Sequence, residues 1–370
     1  MKKIKLFLTN IKKITQVGIL ITLLVISISY IGIVTFTSTP QASPVWVWSL
    51  GKSQNPFFTG SLWSFAASSD AKRVVAVRAT LEASEANFIH NSTDSGETWD
   101  ILENAGKRQW GYIASSDDGM RLAVTSSQFL SGYIYTSSNG GANWTKQIGA
   151  GDRVWSAITS SGNGMKLTAA GSDVSGLYIF TSTDGGATWV KRTVEGISNV
   201  QQIASSADGM RIAITGQGDY IHTSTDGGAT WVERTGAGRG DWGGLTSSSD
   251  GMKLAAADQG KYVYTSIDGG GIWVKRSSLG KASWTGITSS ANGMMLAVVD
   301  VQGSIYISVD GGEIWTKQLN ARSGWWGGIT SSSDGTKLIA GNNYDGYINV
   351  GELRNLPVYS LSQPRQEDDR

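Results

Sequence analysis

The chain has no cysteine among its 370 residues. That excludes a disulfide framework, a thiolate metal site, a catalytic thiol and a lipidated cysteine near the N-terminus. With only two histidines, imidazole-based metal or triad chemistry is poorly supplied, and we expect neither a metal nor a cofactor. Proline is scarce, at 5, against 48 glycines, a balance that suits many tight turns and not an extended Pro-rich chain. A basic field is missing too. Five of the 31 basic residues (Lys2, Lys3, Lys5, Lys12, Lys13) fall in the first 13 positions, which leaves 26 against 30 acidic residues in the remainder. Nothing there holds a phosphate backbone, so nucleic acid is not an expected partner.

What is present begins with an apolar run. Ile14 to Phe36 carries no charge and follows the lysines, so it reads as one hydrophobic helix. It is either a retained membrane anchor or a signal peptide cut after Ala42, where Pro40 fits a cleavage site poorly. Either way the lysines stay in the cytoplasm, and the rest of the chain is extracytoplasmic, secreted or tethered.

Beyond it the chain repeats itself. Tryptophans 99, 144, 189, 231, 273 and 315 each close a segment of the type "STDGGATW", at steps of 45, 45, 42, 42 and 42 residues. A second motif, "SSADGMRIAI" at Ser205 and its relatives, keeps the same step, with a degenerate copy "SSDAKRVVAV" from Ser68 making seven. Periods of this length signal a repeat architecture. Each unit reads as four short strands, because Asp/Asn-Gly pairs supply the positive φ of tight hairpins between β-branched and aromatic runs. The last copy lacks its DGG-Trp turn and fourth strand. "VWVWSLG" (Val45 to Gly51) resembles that missing strand, and "PVYSLS" (Pro357 to Ser362) is the competing candidate. The expectation is an all-β chain: a seven-bladed β-propeller of four-stranded blades, closed by an N-terminal strand and preceded by one hydrophobic helix. Its divisions are 1–43 (signal peptide or anchor), 44–355 (propeller) and 356–370 (solvated tail).

The DGG-Trp turn, of the form Ser-x-Asp-x-Gly-x-Thr-Trp, resembles the Asp-box or BNR repeat of sialidase-like propellers. Copies built on Asp94, Asp184 and Asp226 match fully; those of Asp268 and Asp310 replace Thr by Ile272 and Ile314, and one has Asn139 and Asn143. The resemblance implies a structural turn on the face away from any ligand. The residues agree: the carboxylate accepts backbone N–H bonds and the indole folds over the turn. Trp99, Trp144, Trp189, Trp231, Trp273 and Trp315 are therefore assigned to structure. Sialidases themselves are the enzyme analogue, but the chain contains no Arg-Ile-Pro, and no Tyr or Glu breaks the repeat. Its even pattern is more similar to seven-bladed photosystem II assembly and stability factors, a resemblance that implies protein binding without catalysis.

Six further tryptophans (Trp63, Trp110, Trp155, Trp242, Trp284, Trp326) open first strands, with Val200 in the remaining copy and Trp325 left over. Arg108, Arg153, Arg239, Lys281 and Arg322 precede five of them by two to four places. Two readings stand. In one, Trp110, Trp155, Trp242, Trp284, Trp325 and Trp326 form with these cations a rim that stacks on sugars or peptides. In the other, the indoles wedge blades apart and the cations pair with Asp173, Asp219, Asp258, Asp300 and Asp345. His90 and His222 replace an aromatic held elsewhere by Tyr135, Phe180, Tyr264 and Tyr306. The functional expectation is a monomeric, non-catalytic binding or scaffold propeller that recognises a protein or glycan through the face opposite the Asp-boxes. The alternative is a sialidase-like glycoside hydrolase with a non-standard carboxylate site.

Overall fold

Seven sheets account for the repeat, each built on four antiparallel strands, and two of them carry a short fifth strand at one edge. The computed structural model describes residues 44–53, 62–79, 87–126, 131–343 and 346–355. The apolar run 14–36, the segment 357–362 and the tail lie outside them. Among the described residues there is no α-helix, and no helix is long and apolar enough to cross a membrane. Blade 2 is representative: Trp110–Ser115, Leu122–Ser126, Ile134–Ser137 and Thr145–Gln147 pair in succession. In blade 7, Trp326–Ser331, Lys337–Asn342 and Ile348–Asn355 pair in turn, and Pro44–Leu50 is the outer strand.

Alternation along the strands sends apolar residues to both faces of every sheet, so each blade needs a neighbour on each side. The core is accordingly not central. It is divided into seven clusters, each shared by two adjacent blades. One of them joins Val74, Ala76 and Trp99 of blade 1 to Ile339 and Ile348 of blade 7. The seventh interface is therefore of the same kind as the other six, and the sheets form a ring.

Backbone hydrogen bonds close the same circle. Past the end of each first strand, one residue donates its N–H to the C=O of the equivalent residue in the next blade. Ser69 bonds Asp117, Asp117 bonds Gly162, Gly162 bonds Ala207, Ala207 bonds Ser249, Ser249 bonds Ala291, Ala291 bonds Ser333, and Ser333 returns to Ser69, all at 2.7–2.8 Å. Seven links leave none of these groups unpaired on either side. Antiparallel order puts the first-to-second and third-to-fourth strand turns on this same face, the turn face. The longer connections emerge on the opposite, loop face.

Candidate functional site

On the turn face six of the seven blades repeat one piece of chemistry. In the DGG-Trp turn of blade 4, Ser224 donates its hydroxyl to Asp226 at 2.8 Å and accepts the N–H of Gly228 at 2.9 Å. Asp226 accepts from the Thr230 N–H at 2.9 Å and from its hydroxyl at 2.6 Å, while Trp231 Nε1 donates to the Gly228 carbonyl. The Thr230 hydroxyl and N–H hold the Asp226 carboxyl down to about 2, and Thr188 does the same for Asp184. Asp94 is bonded alike by Ser92 and Thr98, Asp268 and Asp310 by the N–H of Ile272 and Ile314, and Asn139 by that of Asn143. Trp99, Trp189 and Trp315 also bond their own turn, and Trp144 and Trp273 close theirs without that bond.

The first-to-second strand turns are built the same way. Ser206 bonds Asp208, which accepts the Met210 N–H at 2.9 Å, and six sister turns repeat the pattern. After five of these turns a basic side chain runs beneath the next blade's turn glycine, and Met295 takes that place after the sixth. A Cβ at Gly164 or Gly251 would stand 2.5–2.6 Å from the Cβ of Arg121 or Arg211. Turn glycine and basic stem therefore depend on one another across the blade boundary.

The central channel, about 420 Å³, is lined by the first strands of all seven blades. Its lining is Ser, Thr, Gly, Ala and Ile, with Gln202, Phe65, Leu245 and Tyr112, and no charged residue. Among the described residues no group of three His, Cys, Asp or Glu is placed to hold a metal ion.

The loop face corrects the rim of indoles. Trp110, Trp155, Trp242, Trp284 and Trp326 are 0–1 % exposed, so no ligand can stack on them. Each heads an inner strand and is pressed between blades. Trp155 Nε1 donates to Gly132 O, Trp242 Nε1 to Asp219 O and Trp284 Nε1 to Lys261 O, in each case a carbonyl of the preceding blade. The other ring edge meets Phe180, Tyr264 or Tyr306 of the same blade at 5.3–5.8 Å, edge to face. Room for the indole comes from the opposite strand: a Cβ at Gly171 would lie 2.7 Å from the Trp155 ring. Val200 takes the buried position in blade 4. Of the six tryptophans expected in the rim, Trp325 alone is open, at 52 %.

The cations are largely engaged. Arg108 lies over Tyr135 and donates to the Ala105 carbonyl. Arg153 lies over Phe180 and pairs with Asp173. Arg239 lies over Tyr220 and reaches Asp219 of the preceding blade at 3.4 Å, and Lys281 stands 5.5 Å from the Tyr262 ring. Arg322 lies 4.6 Å over Tyr347. The aspartates tie loops: Asp219 accepts from the Ser198 N–H and hydroxyl, Asp300 from the Ser304 N–H, and Asp258 from the Asp241 N–H. Burial pushes the Asp258 carboxyl up, against Lys261 at 3.1 Å. Asp345 lies outside the described residues. His90 and His222 are buried strand residues, and burial, with Arg78 nearby, pushes His90 down to about 4.

One recurring feature is not among the site residues expected from the sequence. Phe88, Tyr133, Tyr178, Tyr220, Tyr262 and Tyr347 stand at one repeat position, at or just ahead of the start of the third strand, and each lies under a Lys or Arg. The steps of 45, 45, 42 and 42 between the first five are the signal that finds them. In blade 7 this position falls beside Trp325, whose carbonyl accepts the Asn343 N–H at 2.6 Å. Tyr347, Arg322 and Trp325 thus form an exposed aromatic and cationic corner of the loop face.

No family model matches the chain, and none of the curated proteins does. Solved structures do. The GH74 enzyme of Niastella koreensis superposes with a TM-score of 0.62 at 15 % identity, over 81 % of this chain and 53 % of that one. The chain thus spans about half the length of that enzyme. YCF48 bound to D1 peptide gives 0.60 at 14 % identity, over 82 % and 96 %. The WD40 repeats of RRP9 give 0.63 at 11 %, over 83 % and 97 %. These neighbours are seven-bladed propellers, some enzymatic and some not, and at such identities they support the fold alone.

Proposed function

We propose that the chain is an Asp-box propeller, closed by its N-terminal strand, that is exported and binds a protein or glycan through its loop face without catalysis. The single observation that carries this reading is the blade-7 corner of Trp325, Tyr347 and Arg322. Trp325 is the one open indole of the set, and Tyr347 beside it is 41 % exposed. An aromatic face next to a guanidinium recognises peptides and sugars by stacking and charge-assisted hydrogen bonds. A protein ligand is the first choice, because YCF48 is a propeller of this architecture with a bound peptide. The glycosidase alternative has GH74 neighbours behind it, but needs two carboxylates within about 10 Å across a sugar-sized cleft. The uncharged channel lining gives that alternative no support.

Export rests on the lysine-flanked run 14–36, and pairing of Pro44–Leu50 with the last blade supports closure from the N-terminus. The test is a peptide and glycan array probed with the chain. Hits lost on Trp325→Ala and on Arg322→Ala, and kept on Val174→Ala elsewhere on the loop face, are the expected outcome. Hits that survive both corner substitutions overturn the assignment of the site, and turnover of an arrayed glycan overturns the non-catalytic reading.

A further inference from the structure

The turn face of blades 5 and 6 departs from its own repeat in a way the fold does not use. Blades 1, 3 and 4 carry Thr at the position before the turn Trp, and its hydroxyl bonds the aspartate. Blades 5 and 6 carry Ile272 and Ile314 there, and Ile267 and Val309 replace the Thr that follows the turn Ser. All four are 68–74 % exposed. Each Ile gives up a hydrogen bond and leaves an aliphatic side chain in water. Ile267 borders an inter-blade groove of about 140 Å³ whose wall includes Met294, itself exposed. Scattered exposed aliphatics are ordinary, but four at equivalent turn positions of two adjacent blades form a patch.

The position of the N-terminal strand indicates what covers it. The Gly51 N–H bonds the Ile348 carbonyl, so the end of Pro44–Leu50 meets the start of the last blade's third strand. The two strands therefore run antiparallel, and Pro44 lies where that third strand finishes, which is the turn face. Only seven residues, 37–43, separate Pro44 from the apolar run. Fully extended they reach about 25 Å. An anchor in the bilayer would thus hold the turn face close to the lipid, with blade 6 next to the tethered blade.

We propose that Ile267, Ile272, Val309, Ile314 and Met294 dip into the interfacial region of the bilayer and fix the turn face toward the membrane, leaving the loop face free for its ligand. The patch is aliphatic, Asp268 and Asp310 are occupied in their own turns, and the exposed Glu313 is balanced by Arg276 at 3.9 Å, so a zwitterionic lipid surface suits it. This inference rests on the anchor reading of residues 14–36.

The absence of cysteine supplies a direct test. Ile272→Cys, Ile314→Cys and Val174→Cys, the last on the loop face, are made in the full chain, labelled with a polarity-sensitive fluorophore and reconstituted into phosphatidylcholine vesicles. The three side chains are exposed, so the substitutions leave the core intact. The expected result is a blue shift and loss of quenching by aqueous iodide at 272 and 314, with neither change at 174. Labels at 272 and 314 that remain as open to iodide as 174, on a chain that stays with the vesicles, overturn the lipid-facing patch while the anchor stands. A chain that washes off the vesicles overturns the anchor, and this inference with it. Shielding at 272 and 314 that needs no lipid and grows with protein concentration assigns the patch to a second copy instead.

Discussion

Replacing Trp242 by Ala tests whether the first-strand indoles are wedges. The side chain is fully buried between blades 4 and 5, with its N–H bonded to the Asp219 carbonyl at 3.0 Å and its ring edge-on to Tyr264 at 5.7 Å. An indole removes roughly 150–250 Å² from water. At about 25 cal/mol per Å² this is about 4–6 kcal/mol of transfer free energy, of which the alanine methyl retains a small part. Partial collapse of the seam recovers some of the cavity, while the orphaned Asp219 carbonyl loses about 1 kcal/mol. The expected cost is about 3–5 kcal/mol. Equilibrium urea unfolding of the chain reads it as a lower midpoint at unchanged slope. Trp325→Ala, half exposed, should cost under about 1 kcal/mol in the same assay. If Trp242→Ala costs no more than Trp325→Ala, the indole is not holding the seam and the wedge reading fails.

Acid should loosen the turn face. Asp184 and Asp226 sit at about 2 in the folded chain, against about 3.9 unfolded, so the stability they contribute is complete above about pH 4 and is lost as pH falls toward 2. Unfolding midpoints measured across that window should drop, and Asp226→Asn, which mimics Asn139, should flatten the drop. His90 acts at higher pH. Burial holds it near 4 against about 6.5 unfolded, so up to about 3 kcal/mol of stability is lost as pH falls from 6.5 through 4. His90→Tyr, the residue of blades 2, 5 and 6, should remove that slope from a thermal-unfolding series. Ile272→Thr and Ile314→Thr restore the hydroxyl that Asp226 enjoys from Thr230, and each should raise stability in urea by about 0.5–1 kcal/mol; a decrease would show that the two isoleucines already have a partner within the fold.

Much of this fold is legible in the sequence because its period is carried by side chains. The DGG-Trp and Ser-Asp turns are local, and each bonds only its own few residues, so spacing and residue type suffice. The tryptophans at the strand heads are different. Their position in the repeat is plain, but whether an indole faces solvent or a neighbouring blade depends on the residue across the strand, such as Gly171 opposite Trp155. Gly171, with no side chain of its own, leaves the space that lets the ring turn inward. The belt at the turn face is invisible for a stronger reason. Ser69, Asp117, Gly162, Ala207, Ser249, Ala291 and Ser333 share no chemistry, since only their backbones take part. The loop-face corner of blade 7 likewise comes from segments about twenty residues apart that no local pattern joins.

The seams of the ring are not equal. Where blade 4 meets blade 3, Val200 stands in for an indole, and the cluster there is built from Ala157, Ala170, Ile179, Ile212 and Ile214. That boundary lacks the fully buried indole that Trp155, Trp242 or Trp284 inserts elsewhere, while the backbone belt is the same all round. A closed circle under strain parts at its weaker joints, so heat, force or a protease would unclasp the molecule between residues 192 and 202 before the seams that Trp110, Trp155, Trp242, Trp284 or Trp326 fills. Opened at that one joint, the molecule would remain a single arc of blades, its first and last blades still joined through the seam of Val74, Trp99, Ile339 and Ile348.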